Sequence, residues 1–292
     1  MSQNHPIISV TGSSGAGTTS VRNVFEQIFR RENITAAYLE GDSFHRYDRA
    51  EMKAKIDEAE AAGNRHFSHF SPETNLLREL QDVFATYAET GQGRCRHYIH
   101  DHAESELYGA SPGTFTDWED LPANSDLLLY EGLHGGVRHQ DIDTGKHADV
   151  KIGVVPVINL EWIQKIHRDN SVRKYSTEAV MDTILRRMPD YVHYICPQFT
   201  ETDINFQRVP TVDTSNPFIA RGIPTADESI VVIRFRDPHG IDFPYLLAML
   251  HGSFMSRTNS IAVPGNKFDL AMRLILTPVI LQLIERKRRA TR

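Results

Sequence analysis

The sequence predicts an α/β fold: a mostly parallel, mixed sheet covered by helices. Three observations predict it. An apolar run enters a Gly-rich turn and then a helical pattern. Further apolar runs stop at an acid-glycine pair. Strand-like and helix-like stretches alternate for most of the chain. In order, Ile7-Ile8-Ser9-Val10 reads as a strand, and Val21, Val24, Phe25, Ile28 and Phe29 recur at helical spacing. A second strand is predicted from Thr35 to Glu40, ending in Gly41-Asp42. Helical patterns follow around Met52 and Ile56, and over Leu76, Leu77, Leu80, Val83, Phe84 and Tyr87. Arg96, Tyr98 and His100 alternate with Cys95, His97 and Ile99, as on a strand with two unlike faces. Leu127 to Tyr130 is an apolar strand closed by Glu131-Gly132, and Lys151 to Val157 is another. Helices are predicted over Leu160 to Arg168 and Thr177 to Met188, and strands over Tyr191 to Ile195 and Ser229 to Phe235. A helix from about Lys267, interrupted at Pro278, carries a basic tail read as a solvated helix end. With no internal repeat or linker, residues 1–292 are expected to form one domain.

Composition narrows the function. The 292 residues are 40% hydrophobic and 24% charged, ordinary for a globular protein. No apolar run approaches the roughly 18 residues of a membrane span. The polar start leads straight into a strand, leaving no room for a secretion signal. Cys95 and Cys196, far apart and in no metal or redox spacing, read as reduced residues of a cytoplasmic protein. A net charge of −6 argues against nucleic acid as partner. A small anionic substrate fits if positive charge is concentrated locally.

The first motif is Gly12-Ser13-Ser14-Gly15-Ala16-Gly17-Thr18-Thr19, followed by Ser20. It keeps the spacing G-x-x-x-x-G-K-[ST], with threonine where lysine belongs. Its glycines allow a tight turn with inward-facing N–H groups, and the helix after it adds a positive end. Thr19 falls where a hydroxyl ligates Mg²⁺. The plainer alternative is a Gly-rich strand-to-helix turn without a ligand. If ATP is bound, another cation must replace the lysine, because phosphoryl transfer rests on positioning and charge stabilisation. Residues 165–187 hold Lys165, Arg168, Arg173, Lys174, Arg186 and Arg187 against three acids. This segment reads as a lid that closes over phosphates, or else as a solvated charged helix pair.

Two acids end strands, where ligands bind in parallel sheets. Asp42 suits a base for an acceptor hydroxyl, and Glu131 suits the metal; capping of a following helix is the alternative for both. Asp169 is placed to orient an arginine or assist the metal. Among the fourteen histidines, the pairs His66/His69 and His97/His100 find no third ligand in sequence, so a structural zinc is not expected.

Taken together, these stretches resemble the phosphoribulokinase family, in its shorter bacterial type. The resemblance is carried by Gly12 to Thr18, Glu40-Gly41-Asp42-Ser43-Phe44-His45-Arg46, Tyr130-Glu131-Gly132-Leu133-His134, Asn159 to Asp169 and Val212 to Arg221. It covers nearly the whole chain, and the threonine at position 18 is itself typical of that type. It implies a P-loop, adenylate-kinase-like fold, with ATP and Mg²⁺ used to convert ribulose 5-phosphate to ribulose 1,5-bisphosphate for carbon dioxide fixation. By the same resemblance Asp42 is the catalytic base, and His45, Arg49, Tyr98, His100 and Arg173 hold the sugar phosphate. Lys165 and Arg168 serve the transferred phosphoryl group, with Glu131 and Asp169 on the metal side. Members are typically homo-oligomers activated by NADH and inhibited by AMP, and Arg31, Arg234 and Arg257 are candidates for that effector site. The plant-type disulfide switch is not expected, since the phosphate loop has no cysteine. The alternatives are another P-loop small-molecule kinase, of uridine or pantothenate type, and a non-catalytic nucleotide sensor.

Overall fold

The structure, a computed structural model, describes residues 5–13, 18–155, 157–171, 175–219 and 222–290, with the backbone alone for 18–20. Eight strands form one sheet: β1 (Ile7–Gly12), β2 (Ala36–Glu40), β3 (Leu127–Gly132), β4 (Val150–Val155), β5 (Ile204–Pro210), β6 (Ser229–Phe235), β7 (Phe254–Arg257) and β8 (Ser260–Pro264). Their order is β7-β8-β6-β5-β4-β1-β3-β2. The five strands from β5 to β2 are parallel, and β6, β8 and β7 extend the sheet by antiparallel pairing. The sheet is thus mixed, as expected.

Helices cover both faces. Ile8, Val10, Leu127 and Leu129 pack in one cluster with α1 (Thr18–Glu32) and α9 (Phe268–Ala290). Ile7, Leu128 and Tyr130, one residue out of phase, pack in a second cluster with Leu80, Phe84 and Tyr87 of α3 (Leu77–Thr90). Because successive side chains enter opposite cores, a strand buried on both faces reads as an unbroken apolar run. Each such side chain contributes about 1.5–3 kcal/mol by burial. The remaining helices are α2 (Arg49–Ala61), α4 (His102–Tyr108), α5 (Ile158–Ser171), α6 (Thr177–Asp190), α7 (Gln198–Glu201) and α8 (Phe243–Met249). Asp48 and Glu51 form a reciprocal capping box at the start of α2. No helix among the described residues is long and apolar enough to cross a membrane.

Four local expectations are revised. Tyr191–Ile195 is not a strand but a π-helical turn that prolongs α6. Tyr191 and Ile195 are buried while Val192 is exposed, which is a helical spacing that a five-residue apolar run conceals. Pro189 supplies no N–H, and the widened turn closes with the Cys196 N–H donating to the Tyr191 carbonyl at 2.9 Å. The 95–100 segment is extended, but its regular pairing shrinks to Arg94–Cys95 with Glu119–Asp120 and a bridge between Tyr98 and Phe115. Helix α9 runs on through Pro278. Its basic end is not merely solvated: Arg286 pairs with the buried Asp149, and Lys287 Nζ donates to the Ser125 carbonyl at 2.6 Å.

Candidate active site

At the carboxyl end of β2 the chain enters a 3₁₀ turn, Gly41–Phe44, that carries Asp42. The turn lies hard against β3, since a Cβ on Gly132 would fall 2.6 Å from Gly41 Cα. Only two glycines permit that approach. Phe44 anchors the turn in the core against Trp118, at 5.7 Å between ring centroids. The Asp42 side chain is 40% exposed, with His45 Nε2 3.2 Å from Oδ1 and His100 Nε2 3.5 Å from Oδ2. Burial alone would raise the carboxyl pKa; His45 outweighs it, His100 and His69 add to the effect, and the group lies far below the usual carboxylate range.

The arm from Arg94 to His100 closes this pocket. Arg96 lies over Phe115 at 3.7 Å and donates to the carbonyls of Ser43 (2.9 Å) and His45 (2.6 Å), binding arm to turn. The Tyr98 ring is 5.0 Å from His100 and 6.3 Å from His45, and Arg49 Nη2 donates to the His100 carbonyl at 3.1 Å. Asp42, His45, Arg49, Tyr98 and His100 therefore form one group, although the sequence scatters them over 59 positions. Arg173 and Lys174 lie outside the described residues.

A second group sits on α5. Lys165 Nζ donates to Asp169 Oδ2 at 2.6 Å, and Arg168 Nε donates to Oδ1 at 2.9 Å. Burial and then the neighbouring Arg187 push the Lys165 ammonium down to about 8, against the pull of Asp169. Glu161, one turn earlier on the helix, is buried; burial raises its carboxyl to about 7, although Ser13 and Tyr191 hydrogen-bond to it. Ser13 donates to Glu161 directly after β1, so α5 is tied to the second residue of the phosphate-loop motif. Phe70, Glu161, Trp162, Lys165, Arg187 and Tyr191 help to line a small cleft of about 20 Å³. Ser14, Gly15, Ala16 and Gly17 lie outside the described residues, as do the side chains of Thr18, Thr19 and Ser20. Helix α1 nonetheless begins at Thr18, as a phosphate loop requires.

Arg187 links the two groups: it lies over the Phe70 ring at 5.2 Å and acts electrostatically on His45 and His69 as well as on Lys165 and Glu161. The sequence marked it only as part of a basic segment. His134 was missed as well. Burial holds it neutral, at about 4, with Nε2 3.1 Å from the Phe70 carbonyl. Glu131 ends β3 half-buried, in register with Val10 of β1 and Glu40 of β2.

The fold also places the three effector-site candidates and the neighbours of His97. Arg234 on β6 and Arg257 on β7 both align with Ser260, while Arg31 sits at the end of α1 beside Glu32 (3.4 Å). The ligand missing beside His97 does exist in space: donor atoms of Cys95, His97 and Glu119 lie within 4.8 Å of one another. Burial, then Glu119, raises the Cys95 thiol to about 11, a poor start for the thiolate a soft metal requires.

Residues 7–215 match the family model "Phosphoribulokinase / Uridine kinase family". The chain belongs to that family. Its fold is accordingly the P-loop kinase fold. Within the family, the chain is 71% identical to phosphoribulokinase of Nitrobacter vulgaris, over 99% of this chain and all of that one. It is 70% identical to phosphoribulokinase of Xanthobacter flavus over the same shares. The solved structure of phosphoribulokinase from Rhodobacter spheroides superposes with a TM-score of 0.91 at 63% identity, covering 98% of this chain and all of that chain.

Proposed function

We propose that this protein is an ATP-dependent kinase that converts ribulose 5-phosphate to ribulose 1,5-bisphosphate, the step that supplies the acceptor for carbon dioxide fixation. The observation that carries the reading is the Asp42 carboxylate, held between His45 and His100 in a pocket walled by Arg49 and Tyr98. A cationic pocket around a base suits an acceptor that already bears a phosphate. Full-length relatives at 70% identity or more, themselves phosphoribulokinases, support the same acceptor.

In this mechanism Asp42 takes the proton of the acceptor hydroxyl as its oxygen attacks the γ-phosphorus and ADP leaves. His45, Arg49, Tyr98, His100 and Arg173 hold the sugar phosphate. Lys165, in a buried site where charge is weakly screened, stabilises the developing negative charge. Both oxygens of Asp169 are engaged by Lys165 and Arg168, which supports an orienting role for it. Glu131, a hard oxygen donor near the carboxyl end of β3 and in register with Val10 of β1, fits a magnesium ion, with Thr19 as second candidate ligand. Bound there, the ion would neutralise charge on the nucleotide oxygens. The reading includes a single catalytic domain, from the absence of a repeat or linker, a basic lid over 165–187, from its concentrated positive charge, and a cytoplasmic location, from two lone cysteines. A homo-oligomer and control by NADH involving Arg31, Arg234 and Arg257 rest on the family resemblance.

A coupled ADP-release assay with ribulose 5-phosphate, uridine and pantothenate tests the proposal. Turnover is expected with the sugar phosphate. Turnover with a nucleoside or pantothenate alone would overturn it.

A further inference from the structure

Behind His45, on the side away from Asp42, lies Asn75, 2% exposed. The two residues are locked at the backbone: they form an antiparallel bridge, Arg46 N–H donates to the Thr74 carbonyl at 2.8 Å, and Leu76 N–H to the Phe44 carbonyl at 2.7 Å. Their side chains meet at 2.8 Å between His45 Nδ1 and Asn75 Oδ1. The orientation of that amide is dictated by its other end. Asn75 Nδ2 reaches the carbonyls of His69 (2.9 Å) and Ser71 (2.7 Å), and a carbonyl can only accept. The NH₂ must therefore face those carbonyls, leaving Oδ1, an acceptor, toward His45. Nδ1 of His45 must then carry a hydrogen.

The opposite nitrogen, Nε2, is 3.2 Å from Asp42 Oδ1. In a neutral ring already protonated at Nδ1, Nε2 presents a lone pair, and it would point that lone pair at a carboxylate. The contact becomes attractive once Nε2 is protonated too. We propose that Asn75 is a positioning residue: it holds His45 as an imidazolium, so that Asp42 and His45 stand as an ion pair before substrate arrives. The inference rests on the reading of Asp42 as the base.

The neighbouring histidines leave His45 as the protonated ring between them. His69, 4.6 Å away between ring centroids, lies well below its ordinary range, through burial first and then His45 and Arg187. His134 is likewise neutral. Arg187 opposes a charge on His45, and His100 and Tyr98 face the same pocket from the arm. Asp42 is the anion among these groups, and it outweighs burial and Arg187 in raising the His45 pKa, with the Asn75 hydrogen bond adding to it.

The arrangement divides the carboxylate. Oδ1 is tied to His45, and Oδ2, the oxygen nearer His100, is presented to the acceptor. On reaction the hydroxyl O–H bond breaks, its proton goes to Oδ2, the oxygen bonds to phosphorus, and the bond to ADP breaks. His45 keeps both protons throughout, so the pair passes from neutral to singly positive as the product gains a phosphate.

Side-chain nitrogen NMR of the enzyme labelled with ¹⁵N-histidine, with the His45 signal identified by its loss in His45→Gln, tests the proton count directly. Both ring nitrogens of wild-type His45 are expected to be protonated at pH 7.5, and a neutral ring would overturn the proposal with Asn75 left unchanged. Asn75→Leu should shift His45 titration down toward its ordinary range, and Asn75→Asp, which keeps an acceptor at Nδ1, should restore it. Relative to wild type, the Asn75→Leu KM for ribulose 5-phosphate should rise roughly tenfold at pH 8 and little at pH 6, where an ordinary histidine is largely charged. An equal rise at both pH values, or an unchanged His45 titration, would mark Asn75 as merely structural. If the chain does not turn over ribulose 5-phosphate at all, the function fails, while the spectra still decide the role of Asn75.

Discussion

At the amino ends of the parallel strands, the Asp149 side chain is fully buried, accepts the Ile7 N–H at 2.9 Å and pairs with Arg286 of α9. Beside it Asp126 accepts the Thr35 N–H at 2.8 Å, and Lys287 reaches the Ser125 and Asp126 carbonyls. At the carboxyl ends, Asp42 faces two histidines across a pocket open to substrate, Lys165 is pushed down to about 8, and Glu161 is pushed up to about 7. Both ends use buried or half-buried charges of the same kinds. At the amino ends the partners are backbone groups and the Arg286 guanidinium, so the charges fasten α9 to the sheet. At the carboxyl ends the charges gather around Asp42 in a part-exposed pocket and around Lys165 on α5, among other ionisable side chains, so chemistry becomes accessible.

Substitutions at the two ends should therefore fail differently. The largest effect is expected for Asp42→Asn, with turnover falling by roughly two to four orders of magnitude, the usual worth of a general base. Its ATP affinity, measured by calorimetry, should hold. Lys165→Met comes next: turnover should fall by about a hundredfold, as for loss of one preorganised charge donor, while ATP affinity changes far less. Loss of affinity with turnover intact would move Lys165 out of the transition state. At the other end, Asp149→Ala should lower the thermal midpoint by roughly 5 °C, reflecting a loss of about 2–3 kcal/mol from the stranded partners. The activity of its folded fraction should be normal, and a selective loss of turnover would erase the contrast between the ends.

The smallest effect concerns pH and stability. The Asp42 pKa is depressed in the fold, so its contribution is present above the unfolded value of about 4 and is lost as pH falls through the folded one. The His45 pKa is raised, so its contribution is present below the unfolded value of about 6.5 and is lost as pH rises through the folded one. Wild type should thus exceed Asp42→Asn in stability most between about pH 4 and 6.5, with the gap narrowing above that. Denaturant titrations at pH 5.5 and 9 would check it, and a gap that widened with pH would reverse the assignment.

Much of the site was legible because strand-end acids and a Gly-rich turn are local signals. Asp42 and Glu131 stand directly after apolar runs, and parallel topology places such positions at one edge. Arg187, Glu161 and Asn75 carried no such mark. Each sits within a helix or beside a turn, and its importance comes from neighbours 30 to 150 residues away, such as Ser13 for Glu161 and His45 for Asn75. The strand expected at Tyr191–Ile195 failed for a related reason: five apolar residues do not distinguish a two-residue period from a helical one, and packing made the choice.

Alone, then, the sequence determined the alternation of strands and helices, the phosphate-loop spacing and the acids at the strand ends, since these depend on residues close together along the chain. Tertiary structure decided which histidine faces Asp42, which hydrogen bonds set its proton count, and that the basic tail clasps the sheet. Those outcomes depend on distance and burial, which are properties of the packed chain.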